Sequence, residues 1–368
     1  FELLNVVGRG CMGKVFVARD VRDGHNGKLV AIKSICKDKA VELKEITHSL
    51  FERDILSLIA SSESKIPFLM TLHAAFQTPE RLFLVLDFVA GGDLATQLSR
   101  HYRFNEETVL FYAVEIIIGL AELHRLGVIY RDLKPENCLL RSDGHLVLTD
   151  FGLSKRIGEP APVGRFGRPR TATFCGTAEY LAPEVLKGEP YGFAIDWWAL
   201  GTSLYEMISG FAPFWASDHA GLYHRVMHDQ LLFPDPNQVD MSDDFKSLLS
   251  GLLEKEPQIR LGSLPSRGVR EITEHRVFAS VDWDTAKKMQ WKQPPIIPEL
   301  THELDLSYFE DAFTKLPVDL TPARRPSFSD LQEEVNMPNN IQEDPFVAYD
   351  FVMPSHEYPR RIDSARLV

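Results

Sequence analysis

The hydrophobic pattern of this chain changes after its first ninety residues, and that change limits the folds that it can adopt. Before the change, "KLVAIKSIC" (28–36) and "RLFLVLDFV" (81–89) carry the apolar, β-branched runs of strands. A single stretch with helical character, "VELKEITHSLFERDILSLIA" (41–60), interrupts them. After the change, "EETVLFYAVEIIIGLAELHRLG" (106–127) spaces its apolar residues at three and four and stops at a glycine. The pattern predicts an α+β fold in which a small strand-rich lobe precedes a larger helical lobe.

The composition narrows the possible classes of function. The chain has 368 residues, enough for two lobes with a core each, and 40 basic and 52 acidic side chains give it a formal charge of −12. That balance argues against a nucleic-acid partner but leaves room for an acidic groove that attracts basic peptides. Its cysteines (Cys11, Cys36, Cys138, Cys175) lack metal-ligand spacing, which indicates a reduced intracellular protein, in the cytoplasm or nucleus. No apolar run reaches ~18 residues, so we expect no transmembrane segment.

Two irregular stretches are also predicted. The segment "GEPAPVGRFGRPRTA" (158–172) is rich in Gly, Pro and Arg and is expected to form a mobile loop. From "KQPPIIPEL" (292–300) onward, scattered prolines predict an extended tail that is ordered only where it docks. The chain begins at Phe1 without a methionine or a signal-like segment, and we interpret it as a fragment of a longer protein.

A glycine-rich turn lies between two strand-like runs near the start of the chain. In "GRGCMGKV", Gly8, Gly10 and Gly13 have the GxGxxG spacing that allows a backbone turn to approach phosphates closely. Taken alone, the pattern also suits a purely structural hairpin. A dinucleotide-binding fold would need a helix directly after the last glycine, whereas "KVFVARDV" continues as a strand, which argues against a dehydrogenase.

A lysine and three further polar groups complete a pattern that suits phosphoryl transfer. Lys33 ends the strand-like "VAIK" and can neutralise phosphate charge, with Glu52 as the candidate partner; the alternative is a strand end that reaches water. Within "YRDLKPEN" (130–137), a carboxylate, a lysine and an amide can accept a hydroxyl proton, bind phosphate and bind a metal ion. Asp150 follows a β-rich run in "LVLTDFGLS" and suits a divalent cation. A charged surface loop is the alternative interpretation.

These motifs together resemble the signature set of eukaryotic protein kinases. "GRGCMGKV", "VAIK", "YRDLKPEN", "DFG" and "APE" occur in the family's order, followed by "DWWALG" and "RLG". Tyr130 stands where most kinases have histidine, and this tyrosine is typical of the AGC group, the relatives of protein kinase A, protein kinase C and Akt. The resemblance implies a bilobal catalytic domain over 1–278, with an N-lobe (1–88) that carries one regulatory helix and a helical C-lobe (91–278). An AGC-type tail is implied over 279–368.

The resemblance also implies ATP and Mg²⁺ as cofactors and assigns the site residues. The glycine-rich turn would cover the phosphates, Lys33 would bind them while paired with Glu52, and Lys134 would stabilise the transferred group. Asp132 would orient the substrate hydroxyl and take its proton, and Asn137 and Asp150 would hold the metal ion. The expected adenine-side residues are Val15, Ala31, Leu86, Asp87, Val89, Glu136, Leu139 and the tail's Phe309. An ATP-binding scaffold without turnover is the competing hypothesis, and the complete catalytic set favours the enzyme.

Regulation is implied at the activation segment. "TATFCGTAEYLAPE" resembles the AGC segment in which a threonine, here Thr173, is phosphorylated by an upstream kinase. The cations expected to receive that phosphate are Arg131, Lys155 and His48. Thr177 is expected to bridge Asp132 and Lys134. An ordinary loop threonine is the alternative for Thr173.

The tail carries two further regulatory motifs. "DLTP" resembles the turn motif, with Thr321 as its phosphorylation site. "FVAYDF" (346–351) resembles the hydrophobic motif, with Asp350 in place of the phosphorylated residue. Its docking groove is expected beside the helix of Glu52, near Val41, Gln77 and Leu82. Simple packing of an aromatic patch is the alternative.

The expected substrates are proteins with basic residues before Ser or Thr. Asp93, Glu136 and Glu206 match acidic positions with which AGC kinases hold arginines, and carboxylate–guanidinium pairs are geometrically selective. Solvated surface carboxylates are the alternative for each one. The chain's own "RRPS" (324–327) fits the preference and makes Ser327 a candidate autophosphorylation site.

Overall fold

The computed structural model describes residues 1–21, 27–43, 45–157, 171, 173, 175–264, 266–320, 346 and 349–353. In that part of the chain the strands are β1 (Glu2–Arg9), β2 (Gly13–Arg19), β3 (Leu29–Cys36), β4 (Leu72–Gln77), β5 (Arg81–Asp87), β6 (Val128–Ile129), β7 (Cys138–Leu140), β8 (Leu146–Leu148), β9 (Lys155–Arg156) and β10 (Phe351–Val352). The α-helices are α1 (Lys37–Glu42), α2 (Ile46–Ser61), α3 (Leu94–His101), α4 (Glu106–Arg125), α5 (Pro183–Leu186), α6 (Ala194–Ser209), α7 (His219–His228), α8 (Asp243–Leu252), α9 (Arg270–Thr273), α10 (Trp283–Ala286) and α11 (Asp311–Thr314).

The chain divides into two compact units. The first unit takes its residues from Phe1–Lys65, Met70–Gly91 and Glu299–Val368, and the second from Ile66–Leu69 and Gly92–Pro298. The described tail residues from 299 onward therefore belong to the same unit as the first strands. Among the described residues, no helix combines the length and the apolar character needed to cross a membrane.

The first unit contains a six-stranded antiparallel sheet in the order β1-β2-β3-β5-β4-β10. One face of this sheet is apolar, and its buried members are Phe1, Ala18, Val30, Ile32, Ala74, Phe76, Phe83 and Val85. Because successive side chains of a strand point to opposite faces, Ala31 and Lys33 lie on the other face of β3. The alternation of one strand thus places a lysine opposite the core.

The helical stretch predicted over 41–60 is two helices rather than one. The short helix α1 ends at Glu42, where the N–H of the following Leu43 bonds to Lys39 O, and α2 begins at Ile46. The described part of the tail contributes α11 and the edge strand β10, which docks on β4.

Helices dominate the second unit. The apolar residues of α4 are buried almost all round, as expected for a central helix, and α4 packs against α6, β6 and β8. Side-chain caps fix where several helices begin: Asp93, Asn105, Asp218 and Ser242 each accept a hydrogen bond from a backbone N–H of the first turn. Two small sheets, β6–β9 and β7–β8, lie among these helices and flank the loop that carries the predicted catalytic residues.

Candidate active site

A lysine and a glutamate of the first unit form a close ion pair. Lys33 projects from β3, and its Nζ lies 2.6 Å from Glu52 Oε1 on α2. Glu52 occupies the buried stripe of α2, so its side chain is only 6% exposed. A buried carboxylate needs a charged or hydrogen-bonding partner, and Lys33 provides one. The pair holds the ammonium of Lys33 in a fixed place.

The glycine-rich turn connects β1 and β2. Gly10 N–H donates to Gly13 O at 3.0 Å, and Cys36 N–H donates to Met12 O at 2.9 Å. A Cβ atom at Gly13, the first residue of β2, would lie 1.8 Å from Ser34 O on β3. Only glycine therefore allows β2 to approach β3 so closely at this point. At Gly10 the corresponding position is open, with nothing within 4 Å. The turn therefore has a fixed base and an uncovered tip, as a phosphate-approaching loop requires.

Sheet register orders the predicted adenine-side residues of the first unit. Ala31 pairs with Leu86, and Val15 pairs with both Gly8 and Lys33. The positions predicted for one site are therefore neighbours in one sheet. Val89, which lies two residues after β5, is buried.

The side chain of Asp87, the last residue of β5, forms hydrogen bonds with two basic side chains. Its Oδ1 accepts hydrogen bonds from His73 Nε2 at 2.8 Å and from Lys28 Nζ at 3.3 Å. Phe309 of the tail stacks on Phe88, with ring centroids 5.9 Å apart. The tail thus contacts the residue next to Asp87.

In the second unit, one buried carboxylate anchors the start of the predicted catalytic loop. Asp196 of α6 is fully buried and accepts hydrogen bonds from Tyr130 N–H and Arg131 N–H, both at 2.9 Å. It also pairs with His124 Nε2 at 2.7 Å. Arg131 has a φ of 71°, a left-handed conformation that these contacts stabilise. In the sequence, "DWWALG" gives no local sign of this role for its aspartate.

Asp132 is the centre of a network of hydrogen bonds. Asn137 Nδ2 donates to Asp132 O at 2.7 Å and to Asp132 Oδ2 at 2.8 Å. Thr177 Oγ1 donates to Asp132 Oδ1 at 3.0 Å, and Lys134 Nζ lies 3.1 Å from Asp132 Oδ2 and 2.7 Å from Thr177 Oγ1. The structure therefore brings together four of the predicted site residues, and it fixes the orientation of a carboxylate that is 7% exposed.

The two predicted metal ligands flank the β7–β8 hairpin. Asn137 directly precedes β7, Asp150 lies two residues after β8, and Thr149 N–H donates to Asn137 O at 3.0 Å. The amide nitrogen of Asn137 makes both side-chain bonds to Asp132, so its amide oxygen is directed elsewhere. Asp150 is exposed. An amide oxygen and an exposed carboxylate are hard ligands, and these donors fit Mg²⁺.

The backbone around Asp150 is held in an uncommon conformation. Asp150 has a φ of 55°, and the next residue, Phe151, is fully buried with its ring 5.5 Å from that of Tyr130. The hydroxyl of Tyr130 donates to Thr149 O. Tyr130 thus contacts the residues on both sides of Asp150.

Comparison with known proteins decides the family. The family model described as the protein kinase domain matches residues 1–278, and the protein kinase C terminal domain matches residues 300–351. The chain belongs to the protein kinase family. The predicted fold class, with a β-sheet small lobe and a helical large lobe, is thereby confirmed.

The relatives place this kinase in the AGC group. Protein kinase 2 of Dictyostelium discoideum is 42% identical over 317 residues, which cover 86% of this chain and 61% of that protein. The RAC-beta serine/threonine-protein kinase of Rattus norvegicus is 40% identical over 326 residues, covering 88% of this chain and 63% of that protein. The serine/threonine-protein kinase Sgk2 of the same species is 42% identical over 315 residues, covering 86% and 80%. The chain thus spans less than two thirds of the length of two of these relatives.

Hydroxyl groups surround the described part of the kinase's activation segment. Thr173 is exposed, and Tyr191 OH donates to Thr173 O at 2.5 Å. Arg131 Nη1 donates to the same Tyr191 oxygen at 3.1 Å, and Lys155 Nζ donates to Thr171 Oγ1 at 2.8 Å. Burial raises the pKa of Tyr191 to about 12, although Arg131 opposes the shift, so this hydroxyl stays protonated at neutral pH.

Two of the cations predicted for a phosphate on Thr173 therefore lie near its segment. Tyr191 was not identified from the sequence, because nothing local marks a tyrosine 18 residues from Thr173 as its contact. The third predicted cation, His48, belongs to the first unit, where its Nδ1 bonds to Glu45.

Three glutamates of the second unit interact electrostatically. Burial raises the pKa of Glu206, and the charges of Glu136 and Glu179 raise it further, while a hydrogen bond from Tyr180 OH lowers it. Such an acidic group favours a cation. Asp93, by contrast, accepts the Thr96 N–H at 2.6 Å as the N-cap of α3, so its carboxylate also has a structural role.

The described residues of the hydrophobic motif are docked on the first unit. Phe346 and Tyr349 are 1% and 0% exposed. Gln77 Nε2 donates to Phe346 O at 2.5 Å, Lys37 Nζ lies 4.9 Å from the Phe346 ring centroid, and the Arg53 guanidinium lies 5.6 Å from that of Tyr349. These contacts join the motif to β4, α1 and α2. Val41 and Leu82, also predicted to line the groove, are buried; Thr321 and Ser327 lie outside the described residues.

Proposed function

We propose that this kinase transfers the γ-phosphoryl group of Mg²⁺-ATP to Ser or Thr residues of proteins. The arrangement around Asp132 supports this most directly. Its carboxylate is nearly buried, is oriented by Asn137 and Thr177, and lies 3.1 Å from Lys134 Nζ. Since phosphoryl transfer depends on positioning and on charge neutralisation, a fixed base beside a fixed cation suits that reaction. Two of the relatives reported above, RAC-beta and Sgk2, are serine/threonine-protein kinases.

Each residue of the proposed site has a separate role in the transfer. Asp132 orients the substrate hydroxyl and accepts its proton as the new O–P bond forms and the bond to the β-phosphate oxygen breaks, which leaves ADP. Lys134 stabilises the charge on the transferred group, and Lys33, held by Glu52, neutralises the remaining phosphates. Asn137 and Asp150 would hold Mg²⁺, which would neutralise phosphate charge when bound.

Arg-directed substrates are the second part of the proposal. Burial and the charges of Glu136 and Glu179 raise the pKa of Glu206 in the second unit, and an arginine of the substrate would relieve the repulsion on Glu206. Glu206 is also oriented by Tyr180, so its carboxylate faces a defined direction. An arginine N-terminal to the phosphoacceptor is the substrate feature that this charge selects.

Regulation by the activation segment and the tail is the third part. Thr173 is exposed, and a phosphate there would find Arg131 and Lys155 on the same unit, so an upstream kinase can act on it. Asp350 supplies a negative charge in the docked hydrophobic motif without phosphorylation. We retain 1–278 as the catalytic domain and 279–368 as the tail.

The test is transfer of the γ-phosphate from Mg²⁺-ATP to a serine peptide with arginines before the serine. Protein whose Thr173 phosphorylation has been verified by mass spectrometry is compared with its Asp150→Ala variant. Turnover that is lost in the variant, and that falls when the arginines are replaced by alanine, supports the proposal. ATP binding without turnover in phosphorylated protein would instead indicate a scaffold.

A further inference from the structure

The β7–β8 hairpin rigidly links the two proposed metal ligands. Asn137 precedes β7 and Asp150 follows β8 at the open end, where Thr149 N–H bonds to Asn137 O at 3.0 Å. The strands pair from Cys138–Leu148 to Leu140–Leu146. Since each strand has only three residues, a shift of the closed end of the hairpin displaces its open end as well.

A buried carboxylate of α4 forms hydrogen bonds with the closed end of this hairpin, at His145 and Leu146. Glu115 is 4% exposed, and its two oxygens bind two successive residues of the hairpin. His145 Nδ1 donates to Oε1 at 2.5 Å, and Leu146 N–H donates to Oε2 at 2.9 Å. His145 is itself 7% exposed. Neither side chain takes part in the chemistry proposed above.

The turn beside His145 is held from two further directions. Tyr112, one helical turn before Glu115 on α4, donates to Gly144 O at 3.3 Å and to Ile296 O at 3.4 Å. Gly144 has a φ of +87°, and a Cβ atom there would lie 2.4 Å from Ile296 O. The segment around Ile296 therefore lies directly against the turn, which leaves little room for the hairpin to tilt.

We propose that Glu115 and His145 are positioning residues that set the distance and orientation of Asn137 and Asp150 for the metal ion. This inference rests on the proposed kinase function. The two side chains act through the hairpin and do not touch the metal ion or the nucleotide. They correspond to the outer contacts that orient metal ligands in other proteins, where substitutions weaken metal binding.

A buried ion pair is a costly way to obtain stability alone. Removing two charged groups from water costs free energy that their attraction often only just repays, so an apolar pair of the same volume would pack as well. An ion pair with bonds to both a side chain and a backbone N–H does, however, fix one geometry. The pair lies at the closed end of the hairpin that carries the proposed metal ligands. The geometry that it fixes therefore affects binding of the metal ion.

The structure offers a matched control on the same helix. Glu122 of α4 is 7% exposed and accepts two hydrogen bonds from Arg125, both at 2.8 Å. Glu115→Gln and Glu122→Gln therefore make the same chemical change in similarly buried side chains. Glu115→Gln removes a charge that contacts the β7–β8 hairpin, whereas Glu122→Gln removes one that contacts Arg125.

The experiment measures the Mg²⁺ requirement in two ways. The first is the Mg²⁺ concentration that gives half-maximal peptide phosphorylation at saturating ATP and peptide. The second, which needs no turnover, is the calorimetric affinity for ADP with and without Mg²⁺. We expect Glu115→Gln to raise the half-saturating Mg²⁺ concentration about tenfold and to reduce the gain in ADP affinity on adding Mg²⁺. Peptide KM and metal-free ADP affinity should stay as in the wild type, and Glu122→Gln should match the wild type throughout.

An unchanged Mg²⁺ requirement in folded Glu115→Gln overturns the proposal and leaves the pair a role in stability only. Should that variant fail to fold, His145→Gln is the second variant, with the same expectation. Hydrogen exchange of the wild type gives a check without any variant: the Leu146 and Thr149 amides should open with the same free energy. Opening of Leu146 alone would contradict the coupling. Complete absence of turnover with intact metal-dependent ADP binding would count against the kinase function but not against the positioning role.

Discussion

The ammonium of Lys33 and the carboxylate of Glu52 lie 2.6 Å apart, one on a strand and the other on a helix of the same unit. The contact follows from two local patterns. Alternation along β3 turns Lys33 away from the apolar face of the sheet, and the buried stripe of α2 includes Glu52 between Ser49 and Ile55. A carboxylate in such a stripe is stable only with a partner, so the pair ties α2 to the sheet.

Glu52→Gln should reduce catalytic efficiency without unfolding the kinase. The amide keeps the shape of the side chain but removes the charge that orients Lys33. A hydrogen bond between charged groups contributes about 1.5–3 kcal/mol, which corresponds to a loss of about 10- to 100-fold in kcat/KM for ATP. Steady-state kinetics at several ATP concentrations measures it. Asp54→Asn, on the exposed side of the same helix, is the control, and equal activity of both variants would refute the role of the pair.

Asp132→Asn should abolish most of the turnover and leave nucleotide binding intact. The carboxylate is the only group in its network proposed to accept a proton, and general base catalysis contributes about 10²- to 10⁴-fold. Asn137 and Thr177 donate to its two oxygens, so an amide at this position also loses one acceptor. Single-turnover phosphorylation measures the loss, with calorimetric ADP affinity as the control. Loss of ADP binding in parallel would mean that the substitution disrupts the site as a whole.

Short motifs made much of the site predictable, because the groups that they contain are fixed by local geometry. The turn around Pro135 brings Asn137 back to Asp132 within five residues, and strand alternation orients Lys33. The anchors of that geometry were not predictable in the same way. Asp196 lies 66 residues from Tyr130, whose N–H it accepts, so the contact depends on how α6 packs against α4.

Fold boundaries show the same limit. Helical periodicity over 41–60 gave one helix, but residues of that stretch also pack against the sheet, and the chain breaks into α1 and α2. The prolines of the tail gave no sign of β10, because an edge strand is stabilised by its partner β4 rather than by its own sequence. Local pattern therefore predicts which residues are available, and tertiary contacts decide which of them are fixed.

Glu206→Gln should weaken binding of arginine-containing peptides specifically. Glutamine still accepts the hydrogen bond of Tyr180 OH but no longer attracts a guanidinium. A charged hydrogen bond of about 1.5–3 kcal/mol predicts a rise in peptide KM of about tenfold or more. Kinetics with a matched peptide in which alanine replaces the arginine completes the double-mutant cycle. If both peptides lose affinity equally, the carboxylate is structural and does not select arginine.

Phe346→Ala should undock the hydrophobic motif and destabilise the first unit. The ring is 1% exposed, Lys37 lies over it, and removal of a buried phenylalanine costs about 3–5 kcal/mol in protein cores. Asp350→Asn should have a smaller effect, because Asp350 is exposed. Denaturant unfolding and kcat measure both variants. A Phe346→Ala protein with unchanged stability and kcat would show that the docked aromatic ring has no influence on the unit.

The His145–Glu115 pair should also make stability depend on pH in a defined direction. Burial on its own lowers the pKa of His145, but the hydrogen bond and charge of Glu115 outweigh it, so that pKa is raised. Asp143 reinforces the rise and Arg141 opposes it. Lys292 lines the same small cavity as the histidine. For Glu115, burial has the opposite effect and raises the pKa of the carboxyl group, and the hydrogen bonds from His145 and Leu146 offset part of that rise.

A raised histidine pKa means that the folded protein holds the proton more tightly than the unfolded chain. The resulting stability is fully present below the unfolded value of about 6.5 and is lost as the pH rises through the folded value. The difference in unfolding free energy between the wild type and His145→Gln should therefore be largest near pH 6 and should shrink toward pH 9. The raised pKa of Glu115 acts in the same direction, because it also makes the folded state bind protons more tightly. Urea unfolding at several pH values measures the difference, and groups common to both proteins, such as His275, cancel in it. A difference that grows with pH would show that His145 is neutral in the pair.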